Sequence, residues 1–381
     1  MQLSPAPPPH CIPVSDTREE QRLPPSRPDQ GRLVRLGLVL LALTTGCARP
    51  AVEGPPPLQD DDTPRVERLQ VLMEALAADS MAGRRAGTPG EHRAVTLLEA
   101  ELARYGVQPA GSNGYRQPVP LIGMLREDGR VRWTRAPDGT LTDTLPPERL
   151  RTAYNVLGLI PGDDPDLAGE IVVVGAHHDH VGVGAAVDGD SIFNGADDDA
   201  SGTVAVLEIA RDLAREHAPG RTVLVAFFTA EEIGLLGTRH WIENPTVDFE
   251  SVVANLQIEM IGRPDSLAGG FGRGWLTGYE RSSMGDILAA QGSPIVPDPR
   301  PEMRFFFRSD NLPFAALGIP AHTLSSYNLH SQYHTPDDEV ELVDYRHMAA
   351  LVEAAVAMVR ELTTGPTPTW KEGGREGLPG G

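Results

Sequence analysis

The sequence predicts an α/β fold: one globular domain built on a mixed, mostly parallel central β-sheet flanked by helices. Three observations carry that expectation. Four largely apolar runs, at 170–175, 221–229, 251–258 and 319–324, read as strands covered on both faces. Between them, 203–215 and 233–242 repeat apolar residues at helical spacing (Val206, Ile209, Leu213 in the first). The alternation of the two patterns is that of a sheet wound with crossover helices. With 381 residues, 40% hydrophobic and 23% charged, the chain has enough apolar length for such a core.

The elements follow in order. Residues 66–78 carry Leu69, Leu72 and Leu76 on one helical face. A second helix starts strongly: Thr88 stands at the cap, Pro89 at the first helical position and Glu91 completes a Thr-x-x-Glu box. It should run to Tyr105 and stop at Gly106. Residues 115–155 are turn-rich and read as short strands. The ends differ in composition. Residues 32–47, RLVRLGLVLLALTTGC, place two arginines, an apolar run and small residues ahead of Cys47, the layout of an export signal. The apolar run is well short of the roughly 20 residues that span a bilayer. Its ending resembles a bacterial lipoprotein box, which implies a chain exported and held at the cell envelope through a lipid on Cys47, or else secreted. Residues 1–47 are therefore read as leader, 48–65 as a disordered linker rich in proline and acid, 66–364 as the folded domain and 365–381 as a flexible tail.

Charge narrows the partners. There are 53 acidic against 33 basic side chains, a formal net charge of -20. Such a surface repels nucleic acid and anionic lipid, so membrane contact is expected only through the anchor. The two cysteines, Cys11 and Cys47, are too few for a thiolate metal site. A metal here must be held by His, Asp and Glu.

Those residues recur just beyond the apolar runs. His177-His178-Asp179-His180 follows the first, Glu231-Glu232 the second and Glu259 the third; Tyr333-His334 and Asp337-Asp338 come after the fourth. Open α/β sheets collect their sites at the carboxyl ends of the strands, so residues as far apart as 177 and 334 are expected on one rim. The turn Asp197-Asp198-Asp199 places three carboxylates side by side, an arrangement that calls for a compensating cation or a helix terminus. Imidazole with carboxylate and no thiolate is the ligand set of a catalytic zinc or related divalent ion.

The strings GAHHDHVG, NGADDDASG, FFTAEEIGLLG, NLQIEMIGRP, RSDNLPFAALGIPAHT and YHTPDD, in this order over about residues 70–345, resemble peptidase family M28, the dizinc aminopeptidase type. The resemblance implies the zinc-dependent exopeptidase (phosphorylase/hydrolase-like) architecture and two divalent ions, zinc foremost. His177 and Glu259 would hold one ion, Glu232 and His334 the other, and Asp198 both. Glu231 would be the general base, Asp179 would orient His177, and Tyr333 would help polarise the substrate carbonyl. The Asp198–Asp199 peptide would be cis. Glu259 departs from the pattern, which has Asp there, and Asn311 stands where many relatives have His. His178 and His180 are expected to line the site mouth or bond locally; His330 is read as structural, with contact to substrate as the lesser alternative. The 81–88, 264–275 and 303–308 segments are candidate pocket walls.

The activity implied is release of N-terminal residues from peptides with a free amino terminus. Two rivals stand beside it: a single-zinc glutaminyl cyclase-like acyltransferase, and a catalytically silent peptide-binding surface domain. No His-Glu-x-x-His, Gly-x-Ser-x-Gly or Walker loop is present to suggest other chemistry.

Overall fold

The computed structural model describes residues 64–136, 144–215 and 218–379. The leader and the linker as far as residue 63, with Cys47 and its expected lipid, lie outside the described residues. The chain begins with α1 (Arg65–Leu76) and α2 (Pro89–Tyr105), then β1 (Gln108–Pro109), β2 (Arg116–Leu125), β3 (Val131–Arg135) and β4 (Leu150–Ile160). There follow β5 (Ile171–His177), the small ribbon β6 (Gly182–Val187) and β7 (Asp190–Phe193), α3 (Gly202–Arg215), β8 (Thr222–Phe228), α4 (Leu236–Glu243) and β9 (Val252–Ile258). The last elements are β10 (Gly274–Leu276), α5 (Ser283–Ala290), β11 (Ile295–Pro297), α6 (Asn311–Ala316), β12 (Ala321–Ser325) and α7 (Tyr345–Thr364).

The main sheet runs in the order β11-β10-β12-β9-β5-β8-β4-β2-β3, with β1 added on β4. Its centre, β12-β9-β5-β8, is parallel, while β4, β2 and β3 extend it antiparallel. All seven residues of β5 are buried. Val172 and Val174 pack on α1, α2, α3 and α7, whereas Ile171 and Val173 pack on Trp241 of α4 and Phe314 of α6. Each such side chain taken from water contributes about 1.5–3 kcal/mol, and the two-faced burial fixes the register of the strand. Because β5, β8, β9 and β12 all point the same way, their carboxyl ends share one edge, and that edge carries the acids and imidazoles.

Several expectations are corrected here. The 115–155 region holds long antiparallel strands, not short ones. Pro118 and Pro120 of β2 fall ahead of Leu121–Leu125, the stretch that β3 covers, so their missing N–H groups break no β2–β3 bond. The capping box at 88–91 does not form. The Thr88 hydroxyl donates back to the Arg85 carbonyl, and Glu91 turns inward to accept from the N–H groups of Gly87 and Tyr154 and the hydroxyl of Thr229. Helix α4 begins at Leu236, not Ile233, because Ala230, Gly234 and Leu235 all adopt positive φ. The flexible tail is also revised. Residues 365–379 lie against the domain: the Trp370 indole donates to the Gly318 carbonyl, Leu378 is buried beside Phe306 and Phe314, and Arg281 donates to the carbonyls of Gly374 and Glu376. Among the described residues no helix is long and apolar enough to cross a membrane.

Candidate metal centre

His177 ends β5, and its fully buried strand leaves the ring only one way to point, past the sheet edge. Its Nε2 lies 3.4 Å from an Asp198 oxygen and 3.4 Å from Glu259 Oε1. Glu259 is the residue after β9 in the same parallel array. Asp198 arrives from the turn between β7 and α3, joined to Asp199 by a cis peptide bond. Across Asp198, His334 Nε2 lies 3.0 Å from Asp198 Oδ2 and 3.1 Å from Glu232 Oε2. The other Glu232 oxygen, Oε1, is 2.8 Å from His180 Nδ1. His177, Asp198 and Glu259 form one group of potential ligand atoms, and His180, Asp198, Glu232 and His334 a second, each group's atoms lying within 4.8 Å of one another. Asp198 belongs to both.

These donors are close without being paired. The Nε2 of His177, Nδ1 of His180, Oδ2 of Asp198, Oε1 of Glu232 and Nε2 of His334 are buried, and none makes a well-angled hydrogen bond. Buried polar atoms are ordinarily satisfied, so a converging set left over needs another partner. Ligand atoms that each sit about 2.1 Å from a zinc ion are some 3.5 Å apart, which matches this spacing. The donor set therefore fits a divalent cation. Electrostatics says the same. Burial opposes ionisation of Asp198, but the neighbouring His177 and His334 imidazoles outweigh it and hold the carboxyl well below the usual range. Burial likewise opposes a charge on His334, yet Asp198 and Glu232 lift it to about 10. The carboxylates draw positive charge onto whatever stands among them.

Glu231 differs from its neighbour. Its carboxyl enters neither group; burial, together with the charges of Glu259 and Glu232, pushes its pKa well up. The positive φ at Ala230 and Leu235 turns the 231–235 segment so that both glutamates reach the cavity instead of forming a first helical turn. Asp179 accepts from the Glu231 N–H at 3.0 Å. Its expected hold on His177 comes mainly through the backbone: His177 Nδ1 is 3.2 Å from the Asp179 carbonyl and 3.9 Å from its carboxylate. Tyr333 stacks on His334 with ring centres 3.9 Å apart, and burial beside Asp198 and Glu232 raises its phenol so that it stays protonated.

The surrounding shell holds residues that sequence reasoning missed. His180, expected at the site mouth or in a local bond, meets Glu232 directly. Arg84, placed on a candidate pocket wall, is wholly buried behind the site instead and donates to the carbonyls of Leu76, His178, Asn194 and Gly195. Asp338 Oδ2 accepts the N–H groups of Asp197 and Asp198, while its Oδ1 accepts from Arg263. His330 bonds Asp197 Oδ2 at 3.0 Å, the structural role rather than contact with substrate. His178 is fully buried, 3.6 Å from Glu91, and not at the mouth. Asn311 is bonded to Phe306 and Thr323. A cavity of about 490 Å³ opens over the donors, with Trp275, Phe305, Phe307 and Tyr327 among its walls; none of the 81–88 segment lines it.

A mixed α/β domain with paired imidazole–carboxylate clusters at the carboxyl edge of its sheet is a fold with a candidate two-part site for divalent ions. The chain belongs to peptidase family M28, whose profile matches residues 155–359. It is 25% identical to the aminopeptidase YwaD of Bacillus subtilis (strain 168) over 270 residues, 65% of this chain and 52% of that protein. The chain spans about half the length of the curated relatives it matches. In fold it resembles BSAP, a zinc aminopeptidase from Bacillus subtilis, at a TM-score of 0.56 and 16% identity, covering 79% of this chain and 96% of that one. It also resembles the glutaminyl cyclase of Porphyromonas gingivalis at a TM-score of 0.54 and 19% identity, covering 78% of this chain and 98% of that one.

Proposed function

We propose that this protein is a zinc-dependent aminopeptidase that hydrolyses the first peptide bond of chains with a free amino terminus. The observation that carries the reading is the set of buried, unpaired imidazole and carboxylate atoms meeting around Asp198, with Glu231 beside them on the same cavity. His177, Asp198 and Glu259 would hold one ion, and Asp198, Glu232 and His334 a second. His180 would bond the remaining Glu232 oxygen and fix that ligand's orientation; this leaves the second site open, as a catalytic site requires. When bound, such ions supply Lewis acidity toward the scissile carbonyl and make water acidic enough to be deprotonated near neutral pH. Glu231 then accepts the proton from the attacking water at its carboxylate and returns it to the departing amine. The N–H of Glu231, bonded to Asp179, keeps that carboxylate aimed. Tyr333, protonated, is a donor available to the carbonyl oxygen.

The test is a panel of aminoacyl anilides with metal-loaded protein, followed by exhaustive chelation. Activity should disappear with the metal and return with zinc; full activity in metal-free protein would exclude the mechanism. The likeness to a cyclase keeps one alternative specific: a glutamine-led peptide would yield pyroglutamate without hydrolysis, and that product in place of free glutamine would select the cyclase. A silent peptide-binding domain would bind metal and peptide and turn over neither.

For location, the proposal keeps the anchored reading from the sequence. Expressed with its leader and a labelled fatty acid, wild-type protein should carry label and Cys47→Ser should not. Equal labelling of the two would remove the anchor.

A further inference from the structure

The cavity over the donors has two chemically different sets of lining residues. One is aromatic: Trp275 and Phe305 have ring centres 5.3 Å apart, and Tyr327 closes on Phe305 at 6.0 Å. The other carries Arg239 and Arg308, both exposed. Neither guanidinium has a carboxylate within ion-pair distance among the described residues, although most other arginines near the site are paired or bonded to carbonyls, as Arg263, Arg300 and Arg84 are. In a chain of net charge -20, whose cavity is also lined by Asp198, Glu231, Glu232 and Glu259, two exposed cations with no ion-pair partner among the described residues form a local exception.

Their chain segments are fastened together. The Thr238 hydroxyl donates to Asp310 Oδ1, joining the residue before Arg239 to the residue two after Arg308. Phe305 lies under the Arg308 guanidinium at 5.3 Å, which limits where that group swings. Arg239 lines the cavity from the same β8–α4 segment as Glu231 and Glu232. The arginines thus adjoin the segment that carries Glu231. Glu231 is the group that returns a proton to the departing amine, so the residue beyond the cleaved bond must lie toward it.

We infer that Arg239 and Arg308 bind a carboxylate on the residue that follows the cleaved bond. The substrate class is short peptides ending at that residue, or peptides with an acidic side chain there. The inference rests on the aminopeptidase reading and deepens it. Exposed arginine–carboxylate pairs are individually weak, so a factor of about three to ten for the two together is the scale to expect, shrinking as salt rises.

The experiment compares kcat/KM for Leu-Ala against Leu-Ala-amide, and for Leu-Glu-amide against Leu-Gln-amide, in wild type, Arg239→Gln, Arg308→Gln and the double variant. The first pair isolates a terminal carboxylate and the second a side-chain one. Wild type should favour the carboxylate member of at least one pair, through KM, and the double variant should bring that ratio close to one. Binding of the same peptides to metal-loaded Glu231→Gln protein by calorimetry should give the same ranking without turnover. Leucyl anilide hydrolysis with no carboxylate preference in either pair overturns this inference and leaves the aminopeptidase reading standing. No hydrolysis of any peptide, in protein that holds its metal, overturns the reading itself. A preference confined to an acidic first residue, or one unchanged in the double variant, also overturns the inference.

Discussion

Asp197 and Asp198 are neighbours in sequence and opposites in bonding. Asp197 is fully answered by the protein: its oxygens accept from the Gly262 N–H, the Ser201 hydroxyl and the His330 ring. Asp198 Oδ2 is equally buried and accepts no hydrogen bond, though imidazoles stand close on either side. The backbone N–H groups of both residues are claimed by Asp338, so the turn is held rigidly whatever the side chains do. The difference separates scaffolding from site. A carboxylate that folding satisfies has no capacity left for a ligand, whereas one kept rigid and unsatisfied is a ligand in waiting.

Exchanging these two residues gives the largest contrast. Asp198→Asn removes the charge common to both clusters and should abolish tight metal binding, with kcat falling by several orders of magnitude, while the melting temperature of metal-free protein stays close to wild type. Asp197→Asn should do the reverse: metal binding survives, and stability drops by about 1–3 kcal/mol because buried donors lose their acceptor. Calorimetric metal titration beside denaturant unfolding reads both. Equal metal loss in the two variants would erase the distinction.

Arg84 extends the comparison to cations. A guanidinium with no exposure, spread over four carbonyls from the end of α1 and the segments after β5 and β7, is paired as completely as Asp197. Burial lowers its pKa to about 10, against the pull of Asp198 and Asp199, so it remains charged near neutral pH. Arg84→Met orphans those carbonyls and should cost at least about 3 kcal/mol of stability, read by urea unfolding. A loss under 1 kcal/mol would show that the loops hold each other without it.

The sequence made the strands and the site's main donors legible because both follow local rules. Strand β5 announces itself by six residues without a polar side chain ahead of His177, and the parallel order then places His177, Glu232, Glu259 and His334 on one edge. What it hid depends on contacts between distant segments. His180 looks like any histidine in a loop until Glu232 is brought beside it. Arg84 sits in a glycine-rich stretch that reads as exposed loop, and only the packing of 178 and 194–195 around it reveals burial. The tail was misjudged for the same reason: glycines and prolines suggest disorder, but Trp370 and Leu378 find cover on the Phe306 side of the sheet. Glu231 and Glu232 were told apart by likeness, and the geometry supplies a reason, since positive φ on both sides of the pair turns it away from a regular helix.

That pair offers the most direct test of the account. Glu231→Gln and Glu232→Gln should be purified side by side and measured for bound metal, thermal melting and turnover of leucyl anilide. The expected result is that Glu231→Gln keeps close to two ions per chain and a folded domain but loses several orders of magnitude in kcat, because water orientation and proton transfer go together. Glu232→Gln should lose metal first, with turnover recovering in part when zinc is in excess. Metal loss in Glu231→Gln with retention in Glu232→Gln would reverse the roles, and wild-type turnover in both would contradict the metallopeptidase account.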